Sequence, residues 1–204
     1  MVLLTGVAAS GKSTFARRHF APTEILSSDA LRAVITDDPH AQAATDDAFD
    51  LLHRILAMRL RRGRLTVVDA TNVEAWARAE LLGVARRHRR PSVAIVLDLP
   101  LEVALARNLA RPEPRPPAAA VRRQHRWLAD SLPALASEGY AAVHHLRSAA
   151  EIDAAQVERV TAPPGSAGHD EMPRRNKAVQ PRRPKPPLPS VPDDRSHRTR
   201  PRTA

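Results

Sequence analysis

Gly6-Val7-Ala8-Ala9-Ser10-Gly11-Lys12-Ser13, with Thr14 behind it, is the stretch whose reading decides the fold. It fits the spacing G-x-x-x-x-G-K-[ST]. An apolar run, Val2–Thr5, leads into it, and a helix is predicted to open near Lys12. A strand, a glycine-bounded loop and a helix N-terminus form the context in which this spacing holds phosphate. Gly6 and Gly11 let the backbone curl round phosphate oxygens at the start of the helix. Lys12 is placed for the β- and γ-phosphates, and Ser13 offers a hydroxyl to Mg²⁺. The candidate nucleotide-binding residues are therefore Gly6, Ala8, Ala9, Ser10, Gly11, Lys12, Ser13 and Thr14, with ATP and Mg²⁺ as the expected ligands.

The surrounding sequence continues the same pattern. Further strand candidates are Glu24–Ser27, Leu65–Asp69, Val93–Leu97 and Ala142–Leu146. The runs at 2–5, 65–69 and 93–97 are almost continuously apolar, which suits parallel strands buried on both faces. Between them Phe49, Leu52, Ile55, Leu56 and Leu60 recur at helical spacing, with Thr45 as expected N-cap, Asp46 and Asp47 in the first turn, and Gly63 as the stop. Other helices are expected over 74–90, 101–111 and 118–138. Alternating strands and helices predict an α/β fold. Its central, mainly parallel sheet of about five strands is flanked by helices.

Composition narrows the classes. The chain has 204 residues and no cysteine, so disulfides, cysteine zinc sites and thiol nucleophiles are excluded. No apolar stretch approaches the ~20 residues of a membrane span, and the first residues lack the basic and apolar regions of a secretory signal, so a cytoplasmic place is expected. The charge of +10 is uneven: residues 161–204 carry +6 of it and 10 of the 19 prolines. That segment lacks hydrophobic periodicity and is expected to be a disordered tail after a domain spanning 1–160. Lys12 is the one lysine before residue 177, the other basic residues of that region being arginines.

Downstream features bear on the chemistry. Asp29 follows the predicted strand 24–27, and functional groups in open α/β sheets cluster at strand carboxyl ends. It can act as the base that deprotonates an acceptor hydroxyl, or as a helix N-cap. Arg32, one helical turn on, can hold an anionic acceptor or be an ordinary solvated arginine. Asp69 ends the run Leu65–Asp69 and is the candidate partner of Ser13 in holding Mg²⁺, while Thr71 and Asn72 read as caps of the next helix. Arg107 and Arg111 share a helix face beside a break rich in Pro112, Pro114, Pro116 and Pro117. That combination reads as an arginine-bearing lid over the transferring phosphoryl group, or as a plain linker.

Taken in order, these blocks resemble the kinase domain of the bacterial polynucleotide kinase-phosphatases and, more distantly, the bacteriophage polynucleotide 5′-kinase. The resemblance rests on Gly6–Thr14, Ser27-Ser28-Asp29 with Arg32, Thr36-Asp37-Asp38, Leu65–Val73 and the Arg107-Asn108-x-x-Arg111 motif, and covers residues 1–160. It implies a P-loop kinase fold and ATP-dependent transfer to the 5′-OH end of DNA or RNA. In that reading Asp29 is the general base, Arg32 the acceptor-phosphate contact, Lys12 and Ser13 the phosphate and metal groups, and Arg107 and Arg111 the lid arginines. Two departures stand out. The first strand starts almost at Met1, and the Pro/Arg-rich tail stands where the bacterial enzymes continue into metallophosphatase and ligase-like domains. The abrupt change near residue 161 is in keeping with a remnant of a longer reading frame.

Three other readings share these residues: a P-loop kinase of a small molecule, an ATPase module acting on a protein partner, and an inactive nucleic-acid-binding fragment. Aromatic content of 3% speaks against a general single-strand-binding module and favours a grip on terminal nucleotides.

Overall fold

In the computed structural model five strands pair in the order β2-β3-β1-β4-β5, every pairing parallel. They are β1 (Val2–Thr5), β2 (Ile25–Ser27), β3 (Val67–Asp69), β4 (Val93–Leu97) and β5 (Ala142–Leu146). Residues 1–159 are described, and they form one unit. The expected tail lies outside the described residues.

The apolar runs occupy the sheet's centre because both of their faces are covered. Leu3 and Val68 pack with Leu52 and Leu56 of α3 (Thr45–Arg61) and Leu81 and Leu82 of α4 (Ala75–Arg87). Leu4, Val67 and Leu97 point the other way, toward Phe15 and Ala16 of α1 (Lys12–His19) and Ile152 of α7 (Ala149–Ala154). Ala94 and Val96 meet Val121, Leu128 and Leu135 of α6 (Ala118–Leu135), which is preceded by α5 (Leu101–Leu109). β5, at one edge, has no fully buried residue.

The register sets the site. Leu4 and Ser27 both lie opposite Asp69, so the carboxyl ends of β1, β2 and β3 reach one level, and the loops that follow them open there. No described helix is long and apolar enough to cross a membrane.

Several boundaries differ from the sequence expectation, each for a visible reason. β3 starts at Val67 rather than Leu65, because the Arg59 guanidinium takes the Leu65 carbonyl (2.8 Å) and the Thr66 hydroxyl (3.0 Å). β2 starts at Ile25, since Pro22–Glu24 form a 3₁₀ turn. Thr45 does not cap α3: the 3₁₀ turn Gln42–Ala44 runs straight into the helix, and the Thr45 hydroxyl is buried without a partner. Gly63 does end α3, at φ 69°, with Arg64 N–H donating to Arg59 O and Gly63 N–H to Leu60 O. This is the double-bonded glycine terminus that satisfies the last carbonyls. Thr71 and Asn72 are not caps of α4 either. The N-cap is Glu74, and the Asn72 amide instead reaches back to Leu4 O at 2.8 Å.

Candidate phosphoryl-transfer site

The loop between β1 and α1 is shaped by its glycines. A side chain at Gly6 would strike Ser10 Oγ at 2.7 Å and the Leu97 carbonyl at 2.8 Å, so nothing larger fits where the loop leaves the sheet. Gly6 N–H donates to Thr71 O, which ties the loop to the turn after β3. Gly11, at φ 103°, is the N-cap of α1, and no side chain caps that helix. Its first N–H groups thus face outward with the positive end of the helix dipole behind them, an arrangement that receives an anion.

Lys12 folds back over this loop. Its Nζ donates to Gly6 O (2.8 Å) and Val7 O (2.7 Å), and only 8% of the residue is exposed. Burial brings its pKa down to about 8, the Asp69 and Asp29 carboxylates pull it back up, and the Arg111 charge pushes it down again. The charges of Asp69, Asp29 and Arg111 thus all act on Lys12.

Asp69 is buried at the end of β3, and burial raises its carboxyl above the ordinary range. A hydrogen bond from Ser13 and the Lys12 charge oppose that rise. The Ser13 hydroxyl and the Asp69 carboxylate are the hard oxygen pair expected for Mg²⁺. Among the described residues there is no cluster of three or more metal-ligating side chains. Mg²⁺ here would be held by this pair together with phosphate oxygens and water, its usual manner in phosphoryl-transfer sites.

Asp29 is not the N-cap of α2 (Ser28–Thr36). Ser27 takes that part, accepting from Ala30 N–H, and Asp29 stands in the first turn with its carboxylate exposed. Arg32 is not a free solvated arginine: it is 9% exposed, its Nη2 pairs with Asp29 Oδ1 and its Nε donates to Pro39 O at 2.9 Å.

Arg107 of α5 reaches the loop, and Arg111 follows just beyond the helix end. Arg107 Nη1 donates to Ser10 O at 3.4 Å. Arg107 and Arg111 line a cavity of about 270 Å³ with Gly11, Thr14, Arg18 and Asp153. The helix ends at Leu109 with Ala110 as its C-cap, two residues short of the expected 111, so Arg111 stands in the turn beyond it and does not share a helix face with Arg107; Ala110 N–H on Ala106 O and Arg111 N–H on Asn108 O close that end.

Three contributors escaped the sequence reading. Arg18 lies one helical turn beyond Thr14, and that spacing was the available signal. Asp153 comes from the short α7 and takes Arg18 Nη1 on its carbonyl at 3.2 Å. Gln124 of α6 accepts from Ala8 N–H at 2.8 Å, a contact 116 residues apart in sequence that no local pattern announces.

Residues 1–134 match the AAA domain family, and the chain belongs to it. That span contains the loop, Asp29, Asp69, Arg107 and Arg111. Solved structures share the fold. A candidate kinase from Chloroflexus aurantiacus is 16% identical at a TM-score of 0.51, over 72% of this chain and 83% of that one. Chaetomium thermophilum Kti12, in complex with ADP-AlF3, is 21% identical at a TM-score of 0.50, over 74% and 93%. A gluconokinase from Sinorhizobium meliloti is 20% identical at a TM-score of 0.47, over 74% and 85%. The family match and the first two likenesses show a P-loop kinase-like fold. No curated protein matches the chain.

Proposed function

We propose that the protein transfers the γ-phosphoryl group of ATP to an acceptor hydroxyl, and that this hydroxyl is the 5′-OH end of a polynucleotide. The observation that carries the transfer reading is the convergence of Lys12, Asp69 and Asp29 at the carboxyl ends of adjacent strands. A nucleotide-binding switch needs the first two. The exposed carboxylate of Asp29, facing the phosphate site, is the group a kinase adds.

In this mechanism the N–H groups at the start of α1 take the β- and γ-phosphate oxygens, and Lys12 exchanges its two loop carbonyls for them. Mg²⁺ held at Ser13 and Asp69 would neutralise charge on the same phosphates. The nucleoside lies in the cavity between Arg107 and Arg111 on one side and Arg18 with Asp153 on the other. Asp29 accepts the proton of the acceptor hydroxyl, and Arg32 holds that carboxylate in place. Arg107 and Arg111 balance the charge that builds on the transferring group.

The polynucleotide acceptor rests on the sequence resemblance. A small-molecule acceptor is the second reading, and one observation favours it: Arg32, expected to grip the acceptor phosphate, has its guanidinium engaged by Asp29 and Pro39. The test uses γ-labelled ATP with 5′-OH DNA and RNA oligonucleotides, 5′-phosphorylated controls and a panel of sugars and nucleosides. Label confined to 5′-OH ends supports the proposal. Label on a small molecule moves the protein to the second reading, and phosphate release without a labelled acceptor makes it an ATPase.

A further inference from the structure

The kinase reading leaves one charged surface unused. α3 and α4 each end just before a strand begins: residues 59–66 lead into β3 and residues 86–92 into β4. In this parallel sheet both entry turns lie at the end opposite the phosphate loop. The 17 residues of α3 set about 25 Å between the two ends. β3 and β4 flank β1, so the turns enter the sheet two strand spacings, about 10 Å, apart.

Arg90 joins the two turns. Its Nε donates to Leu60 O at 3.1 Å, and its Nη2 stands 3.1 Å from where a side chain at Gly63 would begin. Around that contact Arg61, Arg62 and Arg64 are exposed on the α3 turn, and Arg87 and Arg89 on the α4 turn. Neither 54–68 nor 81–97 holds an acidic residue. Two carboxylates lie toward the same end, and both are taken: Glu138 by Arg78, and Glu24 by Arg159, with Glu158 exposed beside the latter. Arginines at a helix C-terminus offset the helix dipole, which accounts for Arg61 and Arg87. Arg64, Arg89 and Arg90 lie beyond both helices and answer no such need.

We infer that this arginine pole, at the end of the sheet away from the phosphate loop, binds the phosphate backbone of a nucleic-acid duplex. Guanidinium forks match phosphate oxygens, and a cluster of them without acids is the electrostatic footprint of a polyanion. A single strand is gripped by stacking its bases on aromatic side chains, and the two turns contain no Phe, Trp or Tyr. A duplex stacks its own bases and turns its phosphates outward, so charge alone holds it. A membrane surface calls for apolar side chains to sink below the headgroups, and the two turns expose no large one. The pole is separate from the transfer site, so the inference does not depend on which acceptor that site takes.

Fluorescence anisotropy with a labelled DNA duplex of about 20 base pairs reads the pole in the full chain without ATP. The duplex carries 5′-phosphates, so it is no acceptor. The variant R61Q/R62Q/R64Q should lower the slope of log K against log salt by about three, one counterion per arginine, and R87Q/R89Q by about two. R122Q/R126Q, which removes two exposed arginines from α6, should leave the slope where it is. Circular dichroism checks that each variant is folded. A full chain that does not bind the duplex overturns the inference. So does a slope that the two pole variants leave unchanged, or one that the α6 variant lowers as much as R87Q/R89Q, since the charge then acts from elsewhere or from no one place. Pole variants that lose binding to phosphatidylserine vesicles and keep the duplex assign the surface to a membrane and overturn it as well. Transfer to a 5′-OH nucleoside 3′-phosphate should be equal in the pole variants and the unaltered chain, so a failure of the kinase reading and a failure of the pole show separately.

Discussion

Raising the pH from 7 to 9 should weaken ATP binding about tenfold, through Lys12 alone. With its pKa near 8, Lys12 is roughly nine-tenths protonated at pH 7 and one-tenth at pH 9. Only the ammonium form offers a full charge to the phosphates, so the competent fraction, and with it the apparent affinity, falls by about that ratio. The phosphates of ATP raise the lysine's pKa in the complex, so the complex stays protonated and takes the proton up from solution. Calorimetry at constant ionic strength reads both quantities. Kd should rise about tenfold between pH 7 and 9, and proton uptake per ATP should grow from about one-tenth to about nine-tenths. The second ionisation of phosphate lies near pH 6, outside the window. Lys12→Met should bind weakly and show no pH dependence across it. The same shift acts on the empty fold. Between about 8 and the ordinary lysine value the unfolded chain keeps a proton that the folded one has lost, so stability rises with pH there. A Kd flat from pH 7 to 9 with no proton uptake would refute the claim that burial of Lys12 dominates its charge.

Other outcomes follow from single contacts. Asp29→Asn should lower kcat by about 10²- to 10⁴-fold with ATP affinity unchanged, as loss of a general base does; retention of most turnover removes Asp29 from that role. Gly6→Ala should abolish ATP binding, because the new methyl would meet the Leu97 carbonyl, and calorimetry with circular dichroism separates this from unfolding. Glu138→Ala should cost about 3–5 kcal/mol in urea unfolding, since it strands the fully buried Arg78 guanidinium that Glu138 grips with both oxygens (2.5 and 2.8 Å); a loss under about 1 kcal/mol means water reaches that arginine.

The parts of the molecule legible in the sequence are those whose information is local. The phosphate loop, β1, β4 and β5 are each written in consecutive residues, and their expected bounds match the structure. Arg107 and Arg111 do line one cavity, but the shared helix face read from their spacing is absent, because α5 ends at Leu109. What escaped the sequence depends on distant partners. Arg59 shortens β3 from across the α3–β3 turn. Asn72 reads as a cap from its neighbours, yet it bonds a carbonyl 68 residues away. Arg78 looks like one more arginine in an arginine-rich chain, while its charge is wholly buried and its partners come from the β3–α4 turn, α6 and the 3₁₀ turn Ala136–Glu138.

The cations of the site share a property that bears on how it works. Lys12 is bonded to Gly6 and Val7 carbonyls, Arg32 to Asp29 and Pro39, and Arg107 to Ser10 O. None of these three waits in solvent. Phosphate binding is then an exchange of partners in which the loop's own carbonyls are released to water as ATP oxygens arrive. The attraction that shows as affinity is the difference between the two sets of bonds, smaller than either. What the fold gains is orientation. The three donors are already held at the loop and at Asp29, so little side-chain freedom is lost when a ligand enters, and in the proposed transfer the charges would stand ready where negative charge develops. Replacing Lys12 by a longer or shorter cation should therefore damage turnover more than binding, because the charge survives while its placement does not.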